Sequence, residues 1–259
     1  MIREKALNAE AFDDIFVFDI HAHLGKNTAI HEGDPELEPV LSKLDRLGVD
    51  GIAISPIMAL RSDYIAGNLE IVDAVKKNPK KVYGYLTPNP HYADCDVSTM
   101  FIPGIIGVKM HGLEQQTSLD NPGYSNTLEF ADRNNLAVLF HAWEPYEVNH
   151  AVNIAKKYKN TKIILGHSGF TSIASKQNAI EACKSLENVY IDTAISYTYD
   201  GALEWLAGKV GTDRILYGSD LPFFECSHTI GRIALSALSD TDKIKILGEN
   251  ARKLFSGLI

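Results

Sequence analysis

Eight short apolar segments recur along this chain of 259 residues, and their spacing is the feature that most restricts its fold. They begin near residues 16, 51, 82, 105, 136, 162, 188 and 214, so that successive starts are 23 to 35 residues apart. Four apolar residues in five positions, as in the segment 16–20, are typical of a buried strand. Helical stripes of apolar residues fill most of the intervals, so the pattern predicts parallel strands joined by helical crossovers.

Eight such units in a chain of this length predict a (β/α)8 TIM barrel, with a single domain over residues 1–259. An open doubly wound sheet is the alternative. The barrel is favoured because polar residues follow the strand ends consistently, and a barrel gathers those ends on one face. The weakest unit is the segment 91–103, in which no helix is evident. The closing helix is expected to be capped by Ser239 or Asp240.

Charge and cysteine content argue against several classes of function. The net charge is −8 and no cluster of Lys and Arg stands out, so neither nucleic acid nor an anionic membrane is an expected partner. The three cysteines are widely spaced and odd in number, which fits a reducing compartment. The N-terminal segment has no apolar core of the kind found in a secretory signal, and no apolar run approaches the ~20 residues of a spanning helix. A soluble cytoplasmic protein is therefore expected.

The first strand ends in two histidines, His21 and His23, one residue apart. Because side chains alternate along a strand, both should lie on the same face, together with Asp19. Two neighbouring imidazoles can hold one divalent ion, although two unrelated loop histidines would give the same short pattern.

Further polar residues follow other strands and would converge on the same face of a barrel. Crowded histidines without a metal would repel one another when charged, so this convergence predicts a metal site. The residues are His111, His141, His167 and Asp220.

These residues resemble the amidohydrolase superfamily, and most closely its amidohydrolase-related, ACMSD-like branch. The resemblance covers nearly the whole chain, and an HxH motif followed by GSDxP in this order is fairly specific. It is carried by Asp19-Ile20-His21-Ala22-His23, the strand-end His141, His167-Ser168-Gly169, the segment 214–222 and the closing segment 247–255.

The resemblance implies that His21, His23, His141 and Asp220 hold one catalytic divalent metal. It also implies that His167 acts as an acid or base near a metal-bound water. Three neutral imidazoles and a carboxylate favour Zn²⁺, with Mn²⁺, Fe²⁺ or Co²⁺ as alternatives. Asp220 could also accept the proton of the water, and His167 could stabilise an oxyanion or protonate a leaving group.

Lys109 and His111 share one face of the fourth strand and are predicted to bind a substrate anion. In other members of the superfamily, a lysine on this strand is carbamylated and bridges two metals. By that alternative, which we favour less, His141 and His167 would serve the second metal.

Four further residues are candidates for the substrate pocket. Arg61, after the second strand, could bind a substrate carboxylate or be a solvated loop charge. Trp143, Tyr197 and Phe223 follow strand ends, where they could line the pocket or belong to ordinary packing. Phe170 stands where the branch often has a glycine, which would narrow the pocket.

We therefore expect a metal-dependent hydrolase that acts on a small amide, ester or lactone. The alternative is a metal-dependent, non-oxidative decarboxylase of a small unsaturated or aromatic acid, which would use the same ligands. The short stretch between His23 and the first helix favours hydrolysis, because long loops that build an aromatic-acid pocket are not evident. A barrel that serves only as a scaffold is a third hypothesis, against which the intact ligand set argues. The expected partner is a small-molecule substrate, and a homo-oligomer is left open.

Overall fold

The computed structural model describes residues 1–26, 36–92, 95–169, 171–195 and 199–259. Within them, eight strands pair in chain order and every neighbouring pair is parallel, which confirms the predicted barrel architecture. The strands are β1 (Phe18–Leu24), β2 (Gly51–Pro56), β3 (Val82–Leu86), β4 (Ile105–Met110), β5 (Ala137–His141), β6 (Lys162–Gly166), β7 (Val189–Asp192) and β8 (Ile215–Leu216).

The barrel closes between β1 and the segment that follows the short strand β8. The N–H of Ile20 donates to the carbonyl of Tyr217 at 3.0 Å, and the N–H of Asp220 donates to the carbonyl of His21 at 2.8 Å. A parallel bridge between Ala22 and Leu221 extends this contact. The closure therefore places Asp220 directly beside the histidines of β1.

The predicted helices are present near the expected residues. The helices of the described ranges are α1 (Ile2–Leu7), α2 (Leu37–Leu47), α3 (Ile57–Arg61), α4 (Tyr64–Lys77), α5 (Ser125–Arg133), α6 (Pro145–Lys157), α7 (Ile173–Ser185), α8 (Ala202–Val210), α9 (Cys226–Leu235), α10 (Asp240–Ile244) and α11 (Asn250–Leu254). Short 3₁₀ turns occupy Ser98–Met100, Pro122–Tyr124 and Thr212–Arg214, and a π-helical turn, Lys245–Glu249, joins α10 to α11.

Two details of the helix predictions can be compared with the structure. In the described part of the connection between β3 and β4, the only helical segment is the turn Ser98–Met100, as the weak pattern there indicated. The Ser239 hydroxyl accepts the Asp242 N–H at 3.1 Å and thus caps α10, as predicted. The sequence pattern gave no indication of α1. No helix in the described ranges is long and apolar enough to cross a membrane.

Apolar side chains fill the barrel beneath its carboxyl-terminal end. One buried cluster joins inward-facing residues from strands around the barrel with the last helix, while a larger cluster lies between the strands and the surrounding helices. The inner cluster includes Phe18, Ile20, Tyr85, Ile106, Leu139, Ile164, Leu216 and Phe255. Because this interior is packed, polar side chains can gather only at the strand ends above it.

Asp19 differs from expectation, because it does not share a face with the two histidines of β1. The pairing of β1 with β2 shifts register between Asp19 and Ala22, which interrupts the simple alternation of side chains. The carboxylate of Asp19 accepts the backbone N–H groups of His21 at 3.1 Å and Ser219 at 3.0 Å. It therefore ties β1 to the segment after β8.

A glycine in β4 tests this packing. A Cβ at Gly107 would overlap the carbonyl oxygen of Ala137 in β5, whereas a Cβ at Gly208, inside α8, would meet nothing within 4 Å. We expect Gly107→Ala to lower the free energy of unfolding by about 1–3 kcal/mol. Gly208→Ala, the matched control, should raise it by up to about 1 kcal/mol, because alanine is the better helix former. Chemical denaturation measures both; equal stability of the two variants would contradict the close approach of β4 and β5.

Candidate metal centre and active-site cavity

Five of the predicted side chains meet at the carboxyl-terminal end of the barrel. Nε2 of His23 lies 3.1 Å from Oδ1 of Asp220, and Nε2 of His21 lies 3.6 Å from the same oxygen. The His167 ring centroid is 4.9 Å from that of His21 and 4.8 Å from that of His141. Four of the five residues are almost completely buried. His23 as a whole residue is half-buried, although its side chain is only 5% exposed.

Two glycines make room for His21 at the centre of this group. A Cβ at Gly166 would lie 3.0 Å from Cε1 of His21, and a Cβ at Gly218 would lie 2.8 Å from its Cβ. A larger residue at either position would therefore crowd His21.

Two of the five residues adopt backbone conformations that non-glycine residues rarely occupy. His167 has φ 64° and Asp220 has φ 66°, both in the left-handed region. The N–H of His167 donates to Oδ1 of Asp192 at 2.9 Å, and the N–H of Asp220 donates to the carbonyl of His21 at 2.8 Å. These bonds compensate a backbone cost of roughly 1–3 kcal/mol at each position, a cost that clusters at functional sites.

Hydrogen bonds at Nδ1 fix the tautomers of three imidazoles in the cluster. Nδ1 of His21 donates to Oδ2 of Asp192 at 2.6 Å, and Nδ1 of His167 donates to the carbonyl of Ala194 at 3.3 Å. Nδ1 of His23 lies 3.0 Å from the hydroxyl of Ser55, which itself reaches the carbonyl of Ala22 at 3.3 Å. With the proton on Nδ1, each ring carries its lone pair on Nε2, the form that ligates metals.

The cluster fits a divalent cation. Nε2 of His141 is buried and has no hydrogen-bond partner among the described residues, a state that costs about 1–3 kcal/mol unless a ligand satisfies it. In addition, His21, His167 and Asp220 each offer one ligand atom, and these atoms lie within 4.8 Å of one another. Neutral imidazoles combined with a carboxylate suit Zn²⁺, Mn²⁺ or Fe²⁺.

The charge states agree with that fit. Burial, together with the charge of Lys109 and the other histidines, holds the pKa of His21 and His141 well below the ordinary value. Burial alone would raise the pKa of Asp220, but His167, His23 and His21 together outweigh it and keep that pKa well below its usual range. The group is therefore made of uncharged imidazoles around an ionised carboxylate.

Lys109 lies beside the cluster. Its side chain is fully buried, and Nζ is 2.8 Å from Nε2 of His21. Burial lowers the pKa of Lys109 to about 8, against the opposing effect of Asp220 and Asp192. The described residues that line the cavity do not include Lys109.

A cavity of about 200 Å³ opens above the cluster. Its walls are mainly apolar or aromatic. The Trp143 ring lies 4.7 Å from that of His141, and the Phe223 ring lies 5.3 Å from that of His23. His111 also lines the cavity and stacks on His141 at 3.7 Å, with 11° between the ring planes. Tyr197 and Phe170, which the sequence placed near the pocket, lie outside the described residues.

Arg61, the last residue of α3, lies at the entrance of this cavity. Its guanidinium forms an ion pair with the carboxylate of Glu114, from the segment after β4. The Arg61 side chain is 46% exposed, so the pair is open to solvent and contributes about 0–1 kcal/mol. An incoming anion could therefore compete for the guanidinium at small cost.

Sequence reasoning missed three residues that organise the site: Asp192, Ser55 and Glu114. Asp192 and Ser55 stand at or near the ends of β7 and β2, the position that drew attention to the histidines. That signal could have identified both. Glu114 belongs to a connection, and its pairing with Arg61 leaves no periodic signal.

Comparison with known families agrees with the geometry. A family model described as amidohydrolase matches residues 66–257, about three quarters of the chain. The chain belongs to the amidohydrolase family. The matched residues include His141, His167 and Asp220, whereas the histidine pair of β1 precedes them.

Solved structures of family-like barrels resemble this one over nearly their whole length. The 2,6-dihydroxybenzoate decarboxylase from Rhizobium has a TM-score of 0.71 and 17% identity, covering 93% of this chain and 98% of that chain. The 5-carboxyvanillate decarboxylase from Novosphingobium aromaticivorans, complexed with manganese and 4-hydroxy-3-methoxy-5-nitrobenzoic acid, has a TM-score of 0.71 and 14% identity, covering 94% and 97%. A probable 2-pyrone-4,6-dicarboxylic acid hydrolase from Acinetobacter baumannii has a TM-score of 0.71 and 16% identity, covering 92% and 98%. At these identities the likeness shows the fold.

The hydrogen bond between Asp192 and His21 should control metal affinity. We expect Asp192→Asn to weaken binding of Zn²⁺ or Mn²⁺ by about 10- to 100-fold, because the amide holds the His21 tautomer less firmly. Calorimetric titration of the metal-free protein measures this, with Asp73→Asn, an exposed carboxylate on α4, as the matched control. Equal affinities of the two variants would contradict the assigned role of Asp192.

Proposed function

We propose that this member of the amidohydrolase family is a metal-dependent decarboxylase of a small aromatic or unsaturated carboxylic acid. The observation that carries the proposal is the aromatic, largely apolar cavity directly above a cluster of neutral imidazoles and one carboxylate. Two of the three similar structures described above are decarboxylases of aromatic acids, which supports it. Hydrolysis, which the sequence favours, becomes the second candidate. The short stretch between His23 and the first helix, on which that expectation depends, includes residues 27–35, which lie outside the described residues.

His21, His23, His141 and Asp220 are the proposed ligands of one divalent ion. The manganese in a similar decarboxylase supports Mn²⁺, and the donor set suits Zn²⁺ equally well. When bound, the ion would supply a positive charge that polarises a substrate oxygen and lowers the pKa of a bound water. A two-metal site with carbamylated Lys109 is the alternative, and it draws support from the proximity of His167 to His21 and Asp220.

The cavity binds the substrate through its walls and its entrance. Trp143 and Phe223 offer flat apolar surfaces to a planar acid, and Arg61 offers a guanidinium to an anionic substituent. The small volume restricts the substrate to about one ring with its substituents. Apolar walls also favour the reaction itself, because a charged carboxylate becomes uncharged carbon dioxide as it leaves.

His167 and Asp220 handle the proton that this reaction consumes. The bond between the ring carbon and the carboxyl carbon breaks, its electron pair stays on the ring carbon, and that carbon takes up one proton. Because Nδ1 of His167 already donates to Ala194, a proton taken up from solvent for the substrate would be carried at Nε2. Burial lowers the pKa of His167, which makes protonated Nε2 a stronger acid toward carbon. The carboxylate of Asp220 stabilises that proton before its transfer.

Hydrolysis of a small lactone or other ester-like substrate is the second candidate, and the similar probable pyrone hydrolase favours it. In that reaction the same two residues would act in the opposite direction. The Asp220 carboxylate or Nε2 of His167 would take a proton from the attacking water, and His167 would then protonate the leaving oxygen.

Product analysis in deuterated water separates the two reactions. The protein loaded with Mn²⁺ or Zn²⁺ should release carbon dioxide from a member of a panel of hydroxybenzoic and unsaturated acids. The product should carry one deuterium on the carbon that held the carboxyl group. Turnover of lactones or esters, with no release of carbon dioxide from any acid in the panel, would overturn the proposal in favour of hydrolysis.

Two histidine variants separate a metal ligand from an acid–base group. We expect His141→Ala to lose the metal and the activity together. His167→Ala should keep the metal and lose about 10²- to 10⁴-fold in kcat, because only a proton carrier is removed. Metal content by elemental analysis, measured beside kcat, is the test. If His167→Ala emptied the site as fully as His141→Ala, the two-metal alternative would be favoured.

A further inference from the structure

His111 differs from the other cavity histidines in the direction of its hydrogen bond. The backbone N–H of Glu114 donates to Nδ1 of His111 at 3.4 Å. A nitrogen that accepts a hydrogen bond carries no proton, so in His111 the proton resides on Nε2. In His21 and His167, by contrast, Nδ1 is the donor and Nε2 carries the lone pair.

The ring of His111 is also fixed in orientation. It stacks nearly parallel on His141, with 3.7 Å between centroids and 11° between planes. Its own backbone N–H donates to Oε1 of Gln115 at 3.4 Å, and that oxygen also accepts the hydroxyl of Tyr124 at 2.8 Å. Nε2 of Gln115 in turn donates to the carbonyl of Pro88 at 2.6 Å. The residue is thus held from both its backbone and its ring face.

The second nitrogen of His111 is left for a ligand. His111 lines the cavity, its residue is 8% exposed, and its Nε2 makes no hydrogen bond with any residue in the described parts of the chain. The buried polar side-chain atoms without a hydrogen-bond partner do not include Nε2 of His111, so this nitrogen is accessible from the cavity or from solvent. A fixed N–H group in the wall of a largely apolar cavity is suited to donation to an oxygen of the bound molecule.

We propose that His111 is a catalytic hydrogen-bond donor, whose Nε2–H binds a substrate oxygen that carries or gains negative charge, and that it is not a metal ligand. The ligand class is a carboxylate, or a carbonyl that becomes an oxyanion. This proposal rests on the proposed function in one respect, which is that the cavity is the active site. The donor would serve decarboxylation and hydrolysis equally. Because the ring already has the required tautomer and orientation, little rearrangement is needed when the charge develops.

The tautomer can be observed without any turnover. Histidine-selective ¹⁵N labelling and long-range proton–nitrogen correlation spectra distinguish protonated from unprotonated ring nitrogens, first in the protein as purified and then with Zn²⁺ added. The signals of His111 are those that disappear in His111→Phe. We expect Nε2–H for His111 in both samples, and Nδ1–H for His21 and His167. A His111 ring protonated on Nδ1, or one whose Nε2 signal shifts to that of a zinc-bound nitrogen, would overturn the proposal.

Binding of benzoate to the zinc-loaded protein tests the donor itself. His111→Phe keeps a flat ring against His141 but removes the N–H, so affinity should fall by at least about 10-fold, as expected for a hydrogen bond to a charged group. His111→Gln places an amide N–H near the position of Nε2 and should stay within about threefold of the original protein. His228→Phe, at an exposed position on α9, should leave affinity unchanged.

Each outcome of the binding experiment decides the question. Equal affinity of the original protein and His111→Phe, including no measurable binding by either, would overturn the proposal. Loss of zinc from His111→Phe, measured by elemental analysis, would show instead that His111 is a ligand. Failure of the protein to decarboxylate any acid would leave the tautomer and binding results unaffected, so the two proposals fail separately.

Discussion

The site depends on the closure of the barrel between its first strand and the segment that follows its last. The hydrogen bond from the N–H of Asp220 to the carbonyl of His21, 2.8 Å long, joins the two ends of the sheet at the height of the histidine cluster. It also holds Asp220 in its left-handed conformation and directs the carboxylate toward Nε2 of His23. One backbone contact therefore sets both the fold and the position of the only carboxylate among the proposed ligands.

Around this closure, the buried polar groups are arranged as a directed network. Asp192 accepts hydrogen bonds from Nδ1 of His21 and from the backbone N–H of His167, so that β7 orients groups carried by β1 and by the segment after β6. The bond to Nδ1 of His21 leaves the lone pair of that ring on Nε2, 3.6 Å from Oδ1 of Asp220. Among the described residues, Nε2 of His141 is buried without a hydrogen-bond partner, which would be unfavourable unless a ligand is bound there.

The fold could be predicted from the sequence because every strand is short, apolar and separated from the next by a regular interval. The histidines and Asp220 could be placed at one end for the same reason, since their positions follow strand ends.

The register shift between Asp19 and Ala22 could not be predicted, because it depends on pairing with β2 and on the bonds that Asp19 makes to Ser219. Nor could the role of Asp192, whose partner His21 is 171 residues away along the chain. The ligand motif cannot distinguish decarboxylation from hydrolysis, because both reactions use the same metal ligands. The two kinds of enzyme differ instead in the residues that form the wall and entrance of the cavity.

We propose that His21, His23, His141 and Asp220 surround one divalent ion. Anomalous diffraction from crystals of the manganese-loaded protein tests it most directly. We expect a single peak within about 2.0–2.3 Å of Nε2 of the three histidines and of a carboxylate oxygen of Asp220, with His111 outside that shell. Two peaks bridged by a modified Lys109, or a peak bound to His111, would contradict it.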